Sequence, residues 1–277
     1  MLTPFRELLE ERRAAGAAVG AFTCYDVTTA LGVIRAAEAR NDPVILLLGD
    51  ASFTGRDGRL LALALLAIAR EARVPACVQL DHASDRELIA AALESGLGAV
   101  MADGSRLPLD GNTEFVRLIR AAAGDAGVEA ELGHIEGGED VAAAASAGAF
   151  TDADAAAAFV AATGADCLAV SIGNVHGRYA TTPDLDWGRL AAIRQRLDVP
   201  LSLHGASGLP DADVRRAIRL GIAKVNVNTE LRARYLDELE RCLPDVRDGL
   251  RLLELQERVA AAVADAVFAK LELLAPA

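Results

Sequence analysis

Aromatic side chains are scarce in this 277-residue chain, where they make up 4% of the residues, and positive charge is also in deficit. Because apolar residues still reach 52%, the core must be built from alanine, leucine and valine. Twenty-eight lysines and arginines face 40 acidic residues, which gives a net charge of −12. A nucleic-acid partner needs a basic face, so we expect none. A small phosphorylated ligand remains compatible, because backbone amides and a metal ion can bind one locally.

Long apolar runs are absent as well. No stretch reaches the roughly 20 apolar residues of a membrane span, and residues 1–13 lack the apolar core of a signal peptide. The four cysteines are far apart and form no CxxC pair. We therefore expect a cytoplasmic protein with no membrane partner, whose thiols are buried and inert rather than paired or metal-binding.

Apolar strand-like runs alternate with segments of helical period, and the strand candidates number eight. They are residues 18–23, 44–48, 76–80, 99–102, 129–132, 168–172, 201–203 and 224–227. Helical candidates lie between them, at 27–40, 60–72, 85–94, 113–123, 152–163, 187–197 and 210–220. Continuous apolar strands of this kind indicate a parallel sheet covered on both faces. The pattern predicts an α/β fold, a single (β/α)8 TIM barrel spanning residues 1–277, although the count alone does not exclude an open doubly wound sheet.

Two segments depart from this alternation. An extended C-terminal helical region is predicted from about Thr229 to Leu274, with a break near Pro244. Residues 137–149, reading GGEDVAAAASAGA, lack large apolar side chains and are predicted to form a mobile loop. A long loop of this kind in a compact domain often acts as a lid.

Histidine is rare too, yet three of the four histidines occupy equivalent settings. His82 follows a strand in VQLDH, His176 follows one in VSIGNVHG, and His204 follows one in LSLHGAS. The carboxyl ends of the strands are where a barrel of this type builds its active site. Three converging imidazoles with one open position are typical of catalytic zinc, whereas a lone histidine is usually structural. His134, after the fifth strand, is interpreted as a loop or surface residue.

Acidic residues mark the same ends of the strands. Asp81 directly precedes His82, Asp103 ends the fourth strand, and Glu131 ends the fifth. A carboxylate at the mouth of an apolar strand must be paired or hydrogen-bonded, so Asp81 is a candidate for function. Glu139 lies on the predicted loop beside Asp140, where a solvated charged loop is the alternative interpretation.

Glycine-rich turns follow the last strands. Gly177 follows His176, the run Gly205-Ala206-Ser207-Gly208 follows His204, and Asn226-Val227-Asn228-Thr229 ends the eighth strand. Loops after the seventh and eighth strands are the usual phosphate site of this fold, where backbone N–H groups and short hydroxyls bind the anion.

Lysine is almost missing, since only Lys224 and Lys270 occur. Imine chemistry needs a desolvated lysine inside the barrel. Lys224 is predicted to open the eighth strand at the opposite end of the barrel, and Lys270 lies in the terminal helix. Metal-stabilised enolate chemistry is therefore favoured over a Schiff base.

Taken together, these residues resemble the class II, zinc-dependent ketose-bisphosphate aldolases, a family that includes the fructose- and tagatose-bisphosphate types. The resemblance covers nearly the whole chain. It is carried by LDH (80–82), MADGS (101–105), EAELG…GGED (129–140), GNVHGRY (173–179), LHGASG (203–208) and KVNVNT (224–229).

The resemblance implies a role for each matching residue. It makes His82, His176 and His204 the zinc ligands, Asp81 the acid/base at the C4 hydroxyl, and Glu139 the group that moves the proton at C3. Asp103 and Glu131 match carboxylates of a second or alternative metal position. The remaining matches are to residues that bind dihydroxyacetone phosphate (DHAP), near which a monovalent cation (Na+ or K+) is common: Gly177, Gly205, Ala206, Ser207, Asn226, Asn228 and Thr229.

The expected activity is the reversible cleavage of a phosphorylated ketose, fructose 1,6-bisphosphate or a close analogue, into DHAP and an aldehyde. Alternatives are the same chemistry on tagatose-bisphosphate, a deoxy-ketonic acid phosphate or sulfofructose phosphate, or a non-catalytic sugar-phosphate-binding barrel. Thr23, Gly49 and Arg178 are the rim residues expected to meet the aldehyde, although Arg178 can equally be a solvated loop arginine. Surplus leucine and valine at helical spacing in residues 250–274, together with the resemblance, predict a homodimer or homotetramer.

Overall fold

A computed structural model describes residues 1–137, 144–145, 148–179 and 183–276, with only the backbone described at residues 144, 145 and 178. Eight parallel strands form a closed barrel in the order β1-β10-β9-β7-β5-β4-β3-β2. They are β1 (Val19–Thr23), β2 (Val44–Gly49), β3 (Ala76–Ala83), β4 (Ala99–Ala102), β5 (Gly127–Leu132), β7 (Cys167–Val170), β9 (Leu201–Leu203) and β10 (Ile222–Val227). Because β1 pairs with both β2 and β10, the predicted TIM barrel is confirmed and the open sheet is excluded.

Helices connect these strands, and the predicted helix positions agree with the structure to within a few residues. Around the barrel lie α1 (Phe5–Ala14), α2 (Val27–Arg40), α3 (Asp50–Phe53), α4 (Gly55–Glu71), α5 (Arg86–Glu94), α6 (Leu109–Ala122), α7 (Ala153–Thr163), α8 (Trp187–Arg196), α9 (Asp211–Arg219), α10 (Thr229–Arg247) and α11 (Leu252–Leu274). A two-stranded ribbon joins β6 (Ala144–Ala145) to β8 (Arg178–Tyr179). None of the helices in the described residues combines the length and apolar character that a bilayer crossing requires.

The terminal helical region breaks later than predicted. Pro244 lies inside α10, and the chain turns only between Asp248 and Arg251, where Leu250 has a φ of 49°. A proline removes one N–H donor from the helix, and only one turn follows Pro244. That last turn is anchored because Cys242 and Val246 are buried. The break therefore falls at the left-handed residue rather than at the proline.

The barrel interior is apolar at the bottom and polar toward the mouth. Alternate strand residues point inward, and the lowest layer packs against Phe5, Leu8 and Leu9 of α1, which closes the amino-terminal end of the barrel. Further along the barrel strands, several inward positions carry polar side chains that are completely buried, among them Gln79, Glu129, Ser202 and Lys224. The polar layer therefore lies beneath the carboxyl ends of the strands, where the histidines were predicted.

Outside the barrel, α11 packs against α2 through a close contact at a glycine. A Cβ added at Gly32 would lie 2.7 Å from the carbonyl oxygen of Ala260 and 2.8 Å from Cγ1 of Val263. This contact is part of a buried face of α11 that includes Val259, Val263 and Val267. Much of the apolar spacing seen in residues 250–274 is thus used within the same chain.

We expect Gly32→Ala to destabilise the protein, because the added methyl group must separate α2 from α11. The cost is about 1–3 kcal/mol, against a helix-propensity gain of about 1 kcal/mol. Gly111→Ala is the matched control, since a Cβ there would meet Leu107 at an ordinary 3.5 Å. The control should be neutral or slightly stabilising in thermal denaturation. Equal melting temperatures for the two variants would contradict the close contact.

Candidate active site

The three strand-end histidines converge at the mouth of the barrel. The ring centroid of His82 lies 4.7 Å from that of His176 and 4.8 Å from that of His204, and the latter two are 5.7 Å apart. One ring nitrogen from each histidine lies within 4.8 Å of the others. The predicted cluster of three imidazoles is therefore present in the structure.

A bulge in β3 directs two neighbouring side chains into this site. Leu80 pairs with Val100 and Ala83 with Ala102, so β3 holds one residue more than β4 across this interval. Within it, His82 adopts a φ of 50°, a left-handed conformation that is costly for a residue with a side chain. Regular alternation would send Asp81 and His82 to opposite faces of the sheet. The bulge lets the acidic residue and the imidazole share one site.

Two carboxylates fix the orientation of two of the rings. Asp103 Oδ2 lies 2.8 Å from Nδ1 of His82, and Glu129 Oε1 lies 2.8 Å from Nε2 of His204. If those nitrogens carry the protons, Nε2 of His82 and Nδ1 of His204 are unprotonated. These two nitrogens are 2.8 Å apart, and their lone pairs face each other. Two facing lone pairs repel unless a cation lies between them, so this donor set fits a metal ion.

Electrostatics favour a cation at the same position. Burial opposes a charge on His82, but the carboxylates of Asp81 and Asp103 raise the pKa of the imidazole well above its ordinary value. Burial likewise lowers the pKa of His204, and its bond to Glu129 only partly offsets this. The same carboxylates that favour the protonated form of His82 would also favour a divalent cation bound by the imidazoles in place of that proton.

A second group of metal-type ligands shares His82. Asp103 and Glu131 join it, with ligand atoms that lie within 4.8 Å of one another. Burial, with a contribution from Asp103, raises the pKa of Glu131 to about 7, and its Oε2 has no hydrogen-bond partner among the described residues. His134, interpreted from the sequence as a loop or surface residue, lies in the loop but is only part-exposed. Its Nδ1 is 3.0 Å from Ser105 Oγ and 3.8 Å from Glu131 Oε1.

Asp81 is oriented by an amide whose own direction is fixed by a lysine. The Nδ2 group of Asn226 lies 3.2 and 3.4 Å from the two carboxylate oxygens of Asp81, which is only 2% exposed. On its other side, the Nζ of Lys224 donates to Oδ1 of Asn226 at 2.6 Å. An ammonium group accepts no hydrogen bond, so the amide must turn its oxygen to Lys224 and its nitrogen to Asp81.

Glu129 connects this arrangement to the histidines. Its carboxylate accepts hydrogen bonds from Gln79 at 2.6 Å, from His204 at 2.8 Å and from Lys224 at 2.8 Å, and the last pair is entirely buried. Although burial opposes the shift, Glu129 and Asp81 raise the pKa of Lys224.

The predicted location of Lys224 was therefore wrong. The third residue of β10 lies inside the barrel rather than at its opposite end, because a register shift near Ile222 turns it inward. Imine chemistry is still disfavoured, for a different reason: this lysine is held as an ammonium.

A cavity of about 390 Å³ lies beside the start of α10. Gly177, Ser207 and Thr229 are among its lining residues, so three of the predicted DHAP-binding residues meet there. Gly205 has a φ of 63°, and a Cβ on it would lie 2.0 Å from the carbonyl oxygen of Val175, so the turn after β9 requires glycine. The positive end of α10 faces this cavity, which is a favourable setting for an anion.

The other predicted residues of this set are distributed around the same mouth. Ala206 is buried in the turn, Asn228 immediately precedes α10, and Asn226 faces Asp81 rather than the cavity. Glu230 accepts the N–H of Gly208 and pairs with Lys270 at 2.8 Å.

Several residues predicted for the site lie outside the part of the chain that the structure describes. Glu139, Asp140 and most of the predicted loop fall in residues 138–143 and 146–147, outside the described residues. The side chain of Arg178 also lies outside them.

Other residues of the site were not predicted from the sequence, above all Glu129 and the internal position of Lys224. A sequence signal existed for both: each is a charged residue in an apolar strand, two positions before a predicted site residue, and inward positions recur every second residue.

Comparison with known proteins supports what the geometry indicates. The model of the family described as fructose-bisphosphate aldolase class-II matches residues 3–276. The D-tagatose-1,6-bisphosphate aldolase subunit GatY of Klebsiella oxytoca is 38% identical over 267 residues, 95% of this chain and 93% of that protein. The sulfofructosephosphate aldolase of Alkalicoccus urumqiensis is 35% identical over 243 residues, 87% of this chain and 85% of that one.

Solved structures agree. The crystal structure of the YdjI aldolase from Escherichia coli K12 superposes with a TM-score of 0.87 at 32% identity, covering 100% of this chain and 98% of that one. The fold and the site thus define a TIM-barrel carbon–carbon lyase. The chain belongs to the class II fructose-bisphosphate aldolase family, whose members are generally zinc-dependent and act on phosphorylated sugars.

We expect Lys224→Met to destabilise the metal-free protein by about 3–5 kcal/mol, because it leaves the carboxylate of Glu129 buried without its ammonium partner. Adding Glu129→Gln to that variant should recover part of the loss, so the two changes are not additive. Urea denaturation measures both effects.

Lys270→Met provides the control. Its ion pair with Glu230 is part-exposed, with 19% and 32% of the two side chains accessible, so the cost should stay within about 1 kcal/mol. Equal losses in the free energy of unfolding for the two lysine variants would show that the buried ion pair contributes no more to stability than the part-exposed one.

Proposed function

We propose that this aldolase reversibly cleaves a phosphorylated ketose, fructose 1,6-bisphosphate or a close analogue, into DHAP and an aldehyde. The observation that carries the proposal is a buried carboxylate beside three converging imidazoles. Asp81 accepts a directed hydrogen bond from Asn226 and adjoins His82 in the β3 bulge. A carboxylate held in this way can accept a hydroxyl proton next to a cation.

Zinc is the proposed metal, held by His82, His176 and His204, because three imidazoles with an open position match its preferences. When bound, it supplies Lewis acidity that stabilises negative charge developing on the substrate, typically by several kcal/mol. Asp103 and Glu131, with His82, are proposed as a second or alternative metal position. A monovalent cation, Na+ or K+, is proposed near the phosphate of DHAP.

The protein residues then perform the proton transfers. Asp81 removes the proton from the C4 hydroxyl, the C3–C4 bond breaks, and its electron pair remains on C3 as an enediolate while the aldehyde departs. Glu139 is proposed to deliver a proton to C3, which completes DHAP. Because the two transfers use different carboxylates, each step can be impaired separately.

The proposed site for the DHAP phosphate is the cavity lined by Gly177, Ser207 and Thr229. Backbone N–H groups at the start of α10 and short hydroxyls provide donors there. Gly205, Ala206, Asn226 and Asn228 complete the proposed DHAP set. Asn226 contributes by orienting Asp81.

The aldehyde half remains the variable part of the substrate. Relatives are named for tagatose 1,6-bisphosphate and for sulfofructose phosphate, so both are candidate substrates, as is a deoxy-ketonic acid phosphate. A coupled assay for DHAP release across ketose 1-phosphates and bisphosphates tests the proposal. Absence of DHAP release from every ketose, by zinc-loaded protein, would refute it.

All four cysteines are free and buried, which is compatible with the proposed cytoplasmic location.

The two carboxylates should produce separable defects. Asp81→Ala should lower cleavage by about 10²–10⁴-fold, yet leave exchange of the C3 proton of DHAP with solvent intact. Glu139→Ala should lose the exchange. The rates are measured by the coupled assay and by NMR in deuterated water. If either variant retains both rates near the wild-type values, its assigned role is wrong.

Zinc binding should depend on all three clustered histidines. His82→Ala, His176→Ala and His204→Ala should each lower the metal content well below the expected one zinc per chain and abolish turnover. His134→Ala serves as the control and should keep its zinc, as measured by elemental analysis. Chelation should also remove activity, because it takes away the metal. Acidification should do the same, because a ligating imidazole must be unprotonated. Full activity of protein without detectable metal would overturn the assignment.

We also propose a homodimer or homotetramer. Leucines remain exposed where α10 meets α11: Leu250 is 85%, Leu252 61% and Leu253 84% accessible. An apolar patch of this kind is typical of a protein interface. Replacing Leu252 and Leu253 by glutamate should yield monomers in light scattering, while the wild-type protein at micromolar concentration should not be monomeric. A monomeric wild-type protein would contradict the proposal.

A further inference from the structure

Two residues of the motif GNVHGRY (173–179) have no role in the site as described above, namely Asn174 and Tyr179. Both side chains belong to the loop that follows β7, and both make hydrogen bonds to the loop that follows β9. The first of these loops carries His176 and the second carries His204. The contacts therefore join the backbones that present two of the three clustered histidines.

Pairing within the barrel sheet does not reach these two histidines. In the part of the chain that the structure describes, the ladder between β7 and β9 ends at Ala169 and Ser202. His204 lies two residues beyond that last pair and His176 seven residues beyond it, whereas His82 lies within β3. Ladder hydrogen bonds fix the spacing of two strands only over the paired residues. Another interaction must set the distance between the two loops.

The amide of Asn174 supplies the first such interaction. Asn174 is completely buried, its Oδ1 accepts the N–H of Ile172 at 2.9 Å, and its Nδ2 donates to the carbonyl oxygen of His204 at 3.0 Å. One partner can only donate and the other can only accept, so the direction of the amide is fixed. Asn174 thus holds the backbone of His204, while Glu129 holds its ring.

The hydroxyl of Tyr179 supplies the second interaction. It donates to the carbonyl oxygen of Gly205 at 2.7 Å and accepts the N–H of Val175 at 3.4 Å. Gly205 directly follows His204, and Val175 directly precedes His176. One oxygen atom therefore bridges the neighbours of two clustered histidines.

The two loops are also in close contact through their backbones. A Cβ on Gly205 would collide with the carbonyl oxygen of Val175, so no side chain can separate the loops at this point. Two consecutive carbonyl groups of the second loop, those of His204 and Gly205, accept from the first loop. A buried carbonyl group needs a donor. Loss of either donor would weaken the contact that holds the loops together.

We propose that Asn174 and Tyr179 are positioning residues that set the spacing between His176 and His204, and thereby the affinity of the three-histidine site for zinc. The inference rests on the proposed function, in which these imidazoles bind the metal, and makes it more specific. Each side chain acts through the backbone beside a ligating histidine. Partners that orient metal ligands in this indirect way typically weaken metal binding by about 10–100-fold when they are removed.

The zinc affinity of the substrate-free protein provides the first test, measured by competition with a chromophoric chelator. Tyr179→Phe removes a single oxygen atom and should weaken zinc binding by about 10-fold, and Asn174→Ala should weaken it by about 10–100-fold. Substrate is left out because Tyr179 also lines the cavity proposed for the DHAP phosphate. Should Asn174→Ala fail to fold, the result for Tyr179→Phe decides.

Tyr235→Phe is the matched control. It also removes one phenolic hydroxyl, which donates to Oδ2 of Asp26 at 2.8 Å and so joins α10 to the residue that caps α2. This variant should keep the zinc affinity of the wild-type protein, even if it lowers the melting temperature. Wild-type zinc affinity in Tyr179→Phe, or an equal loss of affinity in Tyr235→Phe, would overturn the proposal.

Cobalt substitution gives a readout of ligand geometry that a change in stability alone would not move. With Co2+ in place of zinc, the visible absorption of the ion depends on how its ligands are arranged. Tyr179→Phe and Asn174→Ala, each saturated with cobalt, should show altered bands, while Tyr235→Phe should retain the wild-type spectrum. Wild-type spectra for both loop variants would contradict a role in spacing the histidines.

The metal measurements also separate this inference from the proposed function, because they require no turnover. If no ketose is cleaved but both loop variants bind zinc more weakly than the wild-type protein, the proposed function fails and the positioning role stands. If ketoses are cleaved and both variants bind zinc as tightly as the wild-type protein, the positioning role fails alone.

Discussion

The buried carboxylate of Glu129 is the interaction on which the rest of the site depends. It holds the ring of His204 from one side and the ammonium of Lys224 from another, with Gln79 as a third donor. Through Lys224 the same charge determines how Asn226 presents its amide to Asp81. One carboxylate therefore orients both a candidate metal ligand and a candidate acid/base, which lie on different strands.

Such a network can exist only because the barrel is layered. Residues of α1 fill the bottom of the interior with apolar side chains, so the charged layer above is sealed from solvent on that side. In this low-dielectric setting an ion pair is strong but an unpaired charge is very costly. The polar residues of the interior must consequently be matched to one another before any of them can serve chemistry at the mouth.

Much of this architecture could be predicted from the sequence. Apolar periodicity predicts the eight strands, and the positions of the histidines at strand ends predict their cluster. Runs of glycine predict the turns after the last strands. All three are local signals in the sequence. The orientation of Asp81 and His82 could not be predicted, since it depends on a bulge whose left-handed residue is not a glycine. The position of Lys224 was predicted wrongly because its buried environment depends on Glu129, which lies 95 positions earlier in the chain. A charged residue inside an apolar strand has no neighbour in the sequence that indicates its partner. The break in the terminal helical region was predicted near Pro244, but the helix continues to Arg247, because the buried side chain of Val246 anchors its last turn.

The near absence of lysine, met first as a feature of composition, also governs how the molecule behaves in alkaline solution. Twenty-six of its 28 basic residues are arginines, and the two lysines are engaged in ion pairs. Lysine surfaces lose charge near pH 10, whereas guanidinium groups remain protonated beyond pH 12. The surface charge of this protein should therefore be almost constant from neutral pH to about pH 11. Its electrophoretic mobility and colloidal repulsion would vary little over a range in which a lysine-rich protein of the same size becomes steadily more anionic.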